Sequence, residues 1–210
     1  MRALSGKKEP DSIADALIWH PDVRRMLLTQ KAIAEGGRAM IYAAAQTADL
    51  MFNAVLEDDR AAQARYDNML GFYTPILKGF LTEMGLEAAN LGMQVFGGHG
   101  YIHEHGMEQI ARDARIATLY EGTTGIQALD LLGRKVLIGS RGKCVRDFTR
   151  IILRFARPQL VARGSMGRMA RSMTRHALQW NLFTLQIMAR AARDRDLVGS
   201  TSVDYLMYSG

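Results

Sequence analysis

The sequence predicts an all-α fold, an antiparallel bundle of long helices followed by a helical extension. Three observations lead to it. Apolar residues recur at three- and four-residue spacing over segments much longer than a strand. Only 4 Pro interrupt the 210 residues, while helix-forming Met occurs 13 times. No segment alternates as a half-buried strand does, and no internal repeat is present.

Residues 1–20 lack periodicity and read as a loop with turn residues Gly6, Pro10 and Asp11. Pro21 opens a helix, because the first helical position needs no N–H donor. Its apolar positions are Met26, Leu27, Ile33, Gly37, Met40, Ile41, Ala44, Ala48, Met51 and Val55. Gly36 and Gly37 weaken this helix and make sense where another helix or a ligand comes close. The charged stretch 57–67 reads as a connection. Thr74 and Pro75 read as an N-cap and first position of the next helix, which carries Ile76, Leu77, Phe80, Leu81, Met84, Ala88, Leu91 and Val95. It stops at Gly97, Gly98 and Gly100. A shorter helix over 107–116, a loop over 119–125 and a helix over 126–137 complete the bundle, residues 1–139.

Residues 140–210 form the predicted extension. Val145, Phe148, Ile151, Ile152 and Phe155 make one stripe, and Arg146, Arg150, Arg154 and Arg157 another. Pro158 and the 164–167 stretch break the chain. A further helix sets Met173, Ala177, Trp180, Thr184, Ile187 and Ala191 on one side. Tyr205, Leu206 and Tyr208 then form a fresh apolar patch in a helix that begins at Val203 and loses its continuation, so the chain reads as cut at both ends.

Hydrophobic residues make up 48% of the chain, enough to build a core. The single cysteine, Cys144, excludes an internal disulfide framework and fits a reducing compartment. No signal peptide and no membrane-spanning run are evident, so a soluble cytoplasmic protein is expected. The net charge of +6 is concentrated between residues 141 and 175, where ten Lys or Arg meet one acid, Asp147. Such a segment suits a solvated helical face, nucleic acid, acidic lipid or an acidic protein surface.

Two stretches point to chemistry. In Gln94-Val95-Phe96-Gly97-Gly98-His99-Gly100-Tyr101, clustered glycines let backbone approach a ligand, and a helix C-cap explains them too. A Rossmann fingerprint is excluded by the spacing and by the preceding helix. In Tyr120-Glu121-Gly122-Thr123-Thr124-Gly125, a carboxylate flanked by small residues can point into a cleft. Such a group removes a proton α to a thioester when poor solvation raises its pKa. It can equally cap the helix that begins near Thr123. His99, His103 and His105 read as loop residues rather than as a metal site. Arg112 and Asp113 read as a structural ion pair.

The order Gln94, Gly97-Gly98, Gly100-Tyr101, Glu104, Arg112-Asp113-Ala114-Arg115, Tyr120-Glu121-Gly122-Thr123 and Ile126-Gln127 resembles the signature of the acyl-CoA dehydrogenase C-terminal domain. With His20-Pro21-Asp22-Val23-Arg24-Arg25-Met26-Leu27 and the extension, the chain is similar to a narrower branch, the long enzymes of the 3-methylmercaptopropionyl-CoA dehydrogenase type. The resemblance implies FAD-dependent dehydrogenation of an acyl-CoA to a trans-2-enoyl-CoA. It assigns Glu121 as the base, its backbone N–H as a donor to the thioester carbonyl, and Thr123 as an FAD contact. Gln94, Gly97 and Gly98 match positions that touch the ADP half of a partner subunit's FAD, which implies a homo-oligomer. An electron-transfer flavoprotein would take the electrons; an oxygen-using acyl-CoA oxidase is the alternative of the same fold. The resemblance also allows nucleic-acid association through the basic extension.

The departures matter as well. Gly125 replaces a frequent family Gln, so no cofactor role is carried to it. The family's pyrophosphate-binding Arg would fall just before Met1. The family's N-terminal helical domain and β-domain have no counterpart in the chain, so it is expected to be inactive in isolation.

Overall fold

A computed structural model describes residues 2–194 and 196–210. Met1, the first residue of the predicted N-terminal loop, and Arg195 lie outside the described residues. Every regular element among the described residues is helical, as predicted. The long helices are α1 (Pro21–Leu56), α2 (Arg60–Phe96) and α7 (Gly164–Ala191); α3 (Gly98–Tyr101), α4 (Met107–Ala117), α5 (Thr124–Leu129), α6 (Lys143–Ala156) and α8 (Asp196–Ser209) are shorter. A π-helix, Asp130–Gly139, continues α5. The chain forms two compact units, Met1–Tyr42 with Leu81–Glu121, and Ala43–Phe80 with Gly122–Gly210.

In the first unit α1 and α2 run antiparallel. A Cβ at Gly37 would sit 3.2 Å from Leu81 Cδ2, and one at Gly92 would sit 3.4 Å from Gln30 Oε1. Small residues therefore let the two backbones approach. Along α1 the covered positions are Val23, Met26, Thr29, Gln30, Ile33, Gly37 and Met40 in this unit and Ala44, Thr47, Ala48, Met51 and Ala54 in the second. Leu27, Ile41 and Val55, expected on that stripe, are exposed. The covered seam repeats at alternating three- and four-residue steps, which is narrower than a general apolar face.

The N-terminal loop is held by one side chain. The buried Asp15 carboxylate accepts hydrogen bonds from the amides of Ala3 (2.8 Å), Lys8 (2.9 Å) and Glu9 (2.9 Å), and pairs with Arg2 at 3.3 Å.

The second unit has a denser core. Leu131, Leu132, Val136, Val145 and Leu206 have no exposed surface. Trp180 stacks on Phe72 with centroids 5.9 Å apart and meets Phe148 at 6.0 Å. Thr184 and Tyr205 share a buried hydroxyl hydrogen bond of 2.7 Å. Helices α6 and α7 run antiparallel, with Asn181 donating to Thr149 Oγ1 and Gly142 lying beside Met188. The predicted face of α7 is buried at Ala177, Trp180 and Thr184, but Met173 is exposed. On α6, Val145 is buried as expected, whereas Ile151 and Phe155 are exposed.

Four expected boundaries move. Pro75 does not begin a helix; it lies inside α2, fully buried. Thr74 donates its hydroxyl to the Leu70 carbonyl instead of capping. An interior proline costs about 3 kcal/mol, so burial outweighs the lost hydrogen bond here. The connection expected over 57–67 shrinks to residues 57–59, where Asp58 adopts φ 52° and Asp59 accepts from the Ala62 amide. The expected break at 164–167 is the first turn of α7, with Gly164 at φ 77°. The C-terminal helix starts at Asp196, before the expected 203.

The Ala3 amide, followed by those of Glu9 and Lys8, holds the Asp15 carboxyl well below the usual carboxylate range, against the opposing effect of burial. A folded pKa below the unfolded value stabilises the loop fully above about pH 4–5, and that contribution fades as pH falls further. Amide protection of Ala3, Lys8 and Glu9 should therefore persist at neutral pH and disappear in strong acid. Asp15→Asn should abolish it at pH 7. Hydrogen exchange checks this, and unchanged protection in Asp15→Asn would contradict it.

Candidate functional site

Helix α4 ends in a tight structure around Thr118. Its hydroxyl, almost fully buried, donates to the Arg115 carbonyl and accepts from Arg115 Nη1, each at 3.0 Å. The Tyr120 amide still reaches back to the Ile116 carbonyl at 3.3 Å. The chain then reverses, with Glu121 at φ 53° and Gly122 at φ 94°. Thr123 follows in extended conformation and caps α5, its Oγ1 accepting from the Ile126 amide at 3.4 Å.

Glu121 is the informative residue of this turn. A left-handed backbone costs an L-residue with a Cβ about 1–2 kcal/mol. Thr123, two residues further on, supplies a side-chain cap to α5. The strained conformation leaves Glu121 exposed at the crest of the turn. Gly122 is favoured by its backbone, and Gln127 lies close beside it. Its φ favours glycine, and a Cβ there would lie 2.6 Å from Gln127 Nε2.

One side chain secures the turn from outside. Lys78, on α2, donates from Nζ to the Gly122 carbonyl across 44 positions of sequence. The sequence signal for Lys78 is a lone cation on an otherwise apolar run, Ile76, Leu77, Gly79 and Phe80. Sequence reasoning attached no role to it, nor to Gln127 beyond its place in the motif.

The glycine segment forms a second local group. Gln94 is exposed in the last turn of α2, and its carbonyl accepts from the Gly97 amide at 3.0 Å. Gly97 has φ 60°, which fits a helix stop. A Cβ at Gly100 would lie 2.4 Å from the Met93 carbonyl oxygen, so packing demands that glycine. Gly98 is different. It is exposed, its φ is not positive, and a Cβ there would meet nothing within 4 Å. Neither a positive φ nor internal packing requires a glycine there. Gln94, Gly97, Gly98 and Glu121 belong to the first unit and Thr123 to the second.

The secondary candidates make local contacts. His99 and His105 meet edge to face at 5.3 Å, and His103 Nδ1 lies 2.7 Å from Glu108. Asp113 accepts from Gln109 Nε2 at 2.7 Å, so the ion pair expected between it and Arg112 is not formed. A side chain four positions away on the helix reaches it better than an adjacent one. No helix among the described residues is long and apolar enough to cross a membrane.

A helical domain of long antiparallel helices, with an acidic turn between α4 and α5, defines the class. The sequence model described as acyl-CoA dehydrogenase, C-terminal domain, matches residues 8–137. The 3-methylmercaptopropionyl-CoA dehydrogenase of Ruegeria pomeroyi is 40% identical over 201 residues, covering 92% of this chain and 32% of that protein. The broad-specificity linear acyl-CoA dehydrogenase FadE5 of Mycobacterium tuberculosis is 42% identical over 120 residues, 56% of this chain and 19% of that protein. The solved structure "Bd2924 apo-form" aligns with a TM-score of 0.62 at 22% identity, over 98% of this chain and 37% of that one, and shares the fold. The chain belongs to the acyl-CoA dehydrogenase family and spans about a third of the length of the Ruegeria relative.

The strain at Glu121 is testable without activity. Glu121→Gly removes about 1–2 kcal/mol of left-handed strain and adds about 0.4–1 kcal/mol of unfolded-chain entropy. Urea unfolding should show a net gain near 0.5–1 kcal/mol. A loss above about 1 kcal/mol would mean that the carboxylate is there for stability.

Proposed function

We propose that this chain supplies the catalytic base of an FAD-dependent acyl-CoA dehydrogenase, and that Glu121 is that base. The observation that carries the reading is a glutamate held at positive φ in a turn whose next carbonyl, that of Gly122, accepts from Lys78 on α2. Gln94, Gly97, Gly98 and Thr123 would contact FAD. The open backbone at Gly98 and the exposed position of Thr123 fit that role. When bound, FAD accepts the two electrons that leave with the β-hydrogen.

Glu121 carboxylate takes the proton from the α-carbon. The electrons of that C–H bond form the α,β double bond, and the product is a trans-2-enoyl-CoA. The amide of Glu121 donates to the thioester carbonyl, which acidifies the α-carbon.

An electron-transfer flavoprotein would receive the electrons, with molecular oxygen as the alternative acceptor. The protein would act as a homo-oligomer in the cytoplasm. Residues 1–139 would form the family bundle and residues 140–210 a basic extension, a division supported by the family match ending at residue 137. The 210-residue chain alone would carry the base without the remainder of the flavin site.

In the full-length protein that carries this chain, Glu121→Gln keeps shape and hydrogen bonding but removes basicity. Turnover of an acyl-CoA should fall by about 10²–10⁴-fold, with FAD content near normal. Flavin bleaching by acyl-CoA at the parent rate would exclude Glu121 as the base.

A further inference from the structure

The second unit contains a groove of about 790 Å³ with walls from the first half of α2, the π-helix and α6. Six cations line it: Arg65, Arg134, Lys135, Lys143, Arg150 and Arg154. Only two carboxylates, Asp67 and Asp147, oppose them.

Internal pairing uses part of this charge. Arg134 pairs with Asp130, and Lys143 and Arg150 share Asp147. The Lys143 hydrogen bond, ahead of Arg150 and Arg146, holds the Asp147 carboxyl below its ordinary range. Lys135 and Arg154 have no carboxylate within ion-pair distance among the described residues. Lys135 is also half-buried, an environment in which an ammonium gains from an anionic partner.

The backbone is shaped to present these groups. The π-helix is an uncommon element associated with functional sites. Its wide rings stack Gly139 over Arg134, so that a Cβ at Gly139 would lie 2.9 Å from the Arg134 carbonyl oxygen. On the facing wall a Cβ at Gly71 would lie 2.8 Å from Lys135 Nζ. Glycine at that position therefore leaves room for the ammonium. Tyr73 and Phe148 add an aromatic wall, edge to face at 5.8 Å. The volume falls within the range of small-molecule pockets, about 300–1,000 Å³.

We propose that this groove binds a nucleoside polyphosphate group, with Lys135 and Arg154 on the phosphates and the aromatic wall beside the base or ribose. Cations left without partners fit a ligand of at least two negative charges, and an apolar wall fits more than a bare anion. Two sources share this chemistry, the nucleotide half of a CoA thioester and a free nucleotide. The inference stands independently of the assignment of Glu121.

Calorimetric titration of the 210-residue chain with 3′-phosphoadenosine diphosphate, ADP and pyrophosphate tests it. Binding of either nucleotide more tightly than pyrophosphate upholds the proposal, and the tighter of the two identifies the source. Lys135→Gln and Arg154→Gln should each weaken binding by about 10-fold or more. Asp147→Asn should strengthen it, because it frees Lys143 and Arg150. Arg168→Gln, on α7 and outside the groove, should change nothing. Arg154 is exposed, so its variant keeps the test valid should Lys135→Gln fail to fold. Pyrophosphate bound as tightly as both nucleotides, no response to Arg154→Gln, or tighter binding of duplex DNA than of any nucleotide would each overturn the proposal.

Discussion

The hydrogen bond from the Lys78 ammonium to the Gly122 carbonyl ties the turn that presents Glu121 to α2, the longest helix of the chain. The turn alone is unfavourable. It places a glutamate and a glycine consecutively at positive φ, and it has no regular ladder to hold it. Thr123 fixes its exit by capping α5, and Thr118 fixes its entry by closing α4. The Lys78 bond acts on the residue between those fixed points. A charged donor to a carbonyl contributes about 1.5–3 kcal/mol, comparable to the left-handed strain it opposes.

The same economy of position recurs in the second unit. Pro75 sits within α2 and cannot donate to the carbonyl of Gly71. Gly71 in turn leaves room for Lys135 from the π-helix. A local defect in one helix thus accommodates a cation from another. Burial of Leu131, Leu132 and Val136 holds the π-helix despite its unusual geometry, since full burial of such side chains contributes about 1.5–3 kcal/mol each.

The fold was legible in the sequence because long apolar periods with few prolines leave little but a helical answer. Spacing locates Met26, Gly37 and Ala44 on the covered side of α1 and Ala177, Trp180 and Thr184 on that of α7. It also puts Leu27, Ile41, Val55 and Met173 there, which are exposed. Pro75 was misread because proline and a preceding threonine carry the local signature of a helix start, whereas tertiary burial decides the outcome. The π-helix has no local signature at all; spacing over 126–137 says helix without saying which ring closes. Glu121, Gln94, Gly97, Gly98 and Thr123 could be located by motif. The left-handed backbone at Glu121 is not encoded by spacing. Lys78 was invisible because its partner lies 44 residues away and is a carbonyl, a group every residue possesses.

The central claim is that Lys78 positions Glu121 to remove an α-proton. Its direct test is solvent exchange at the α-carbon of an acyl-CoA, followed by NMR in D₂O, with the full-length protein that carries this chain. Lys78→Met keeps the length of the side chain and removes the donor. Exchange should slow by about 10²-fold, the cost of a displacement near 1 Å at a reacting centre, with KM and FAD content little changed. Exchange at the parent rate in Lys78→Met would show that the turn needs no such anchor and that the account is wrong.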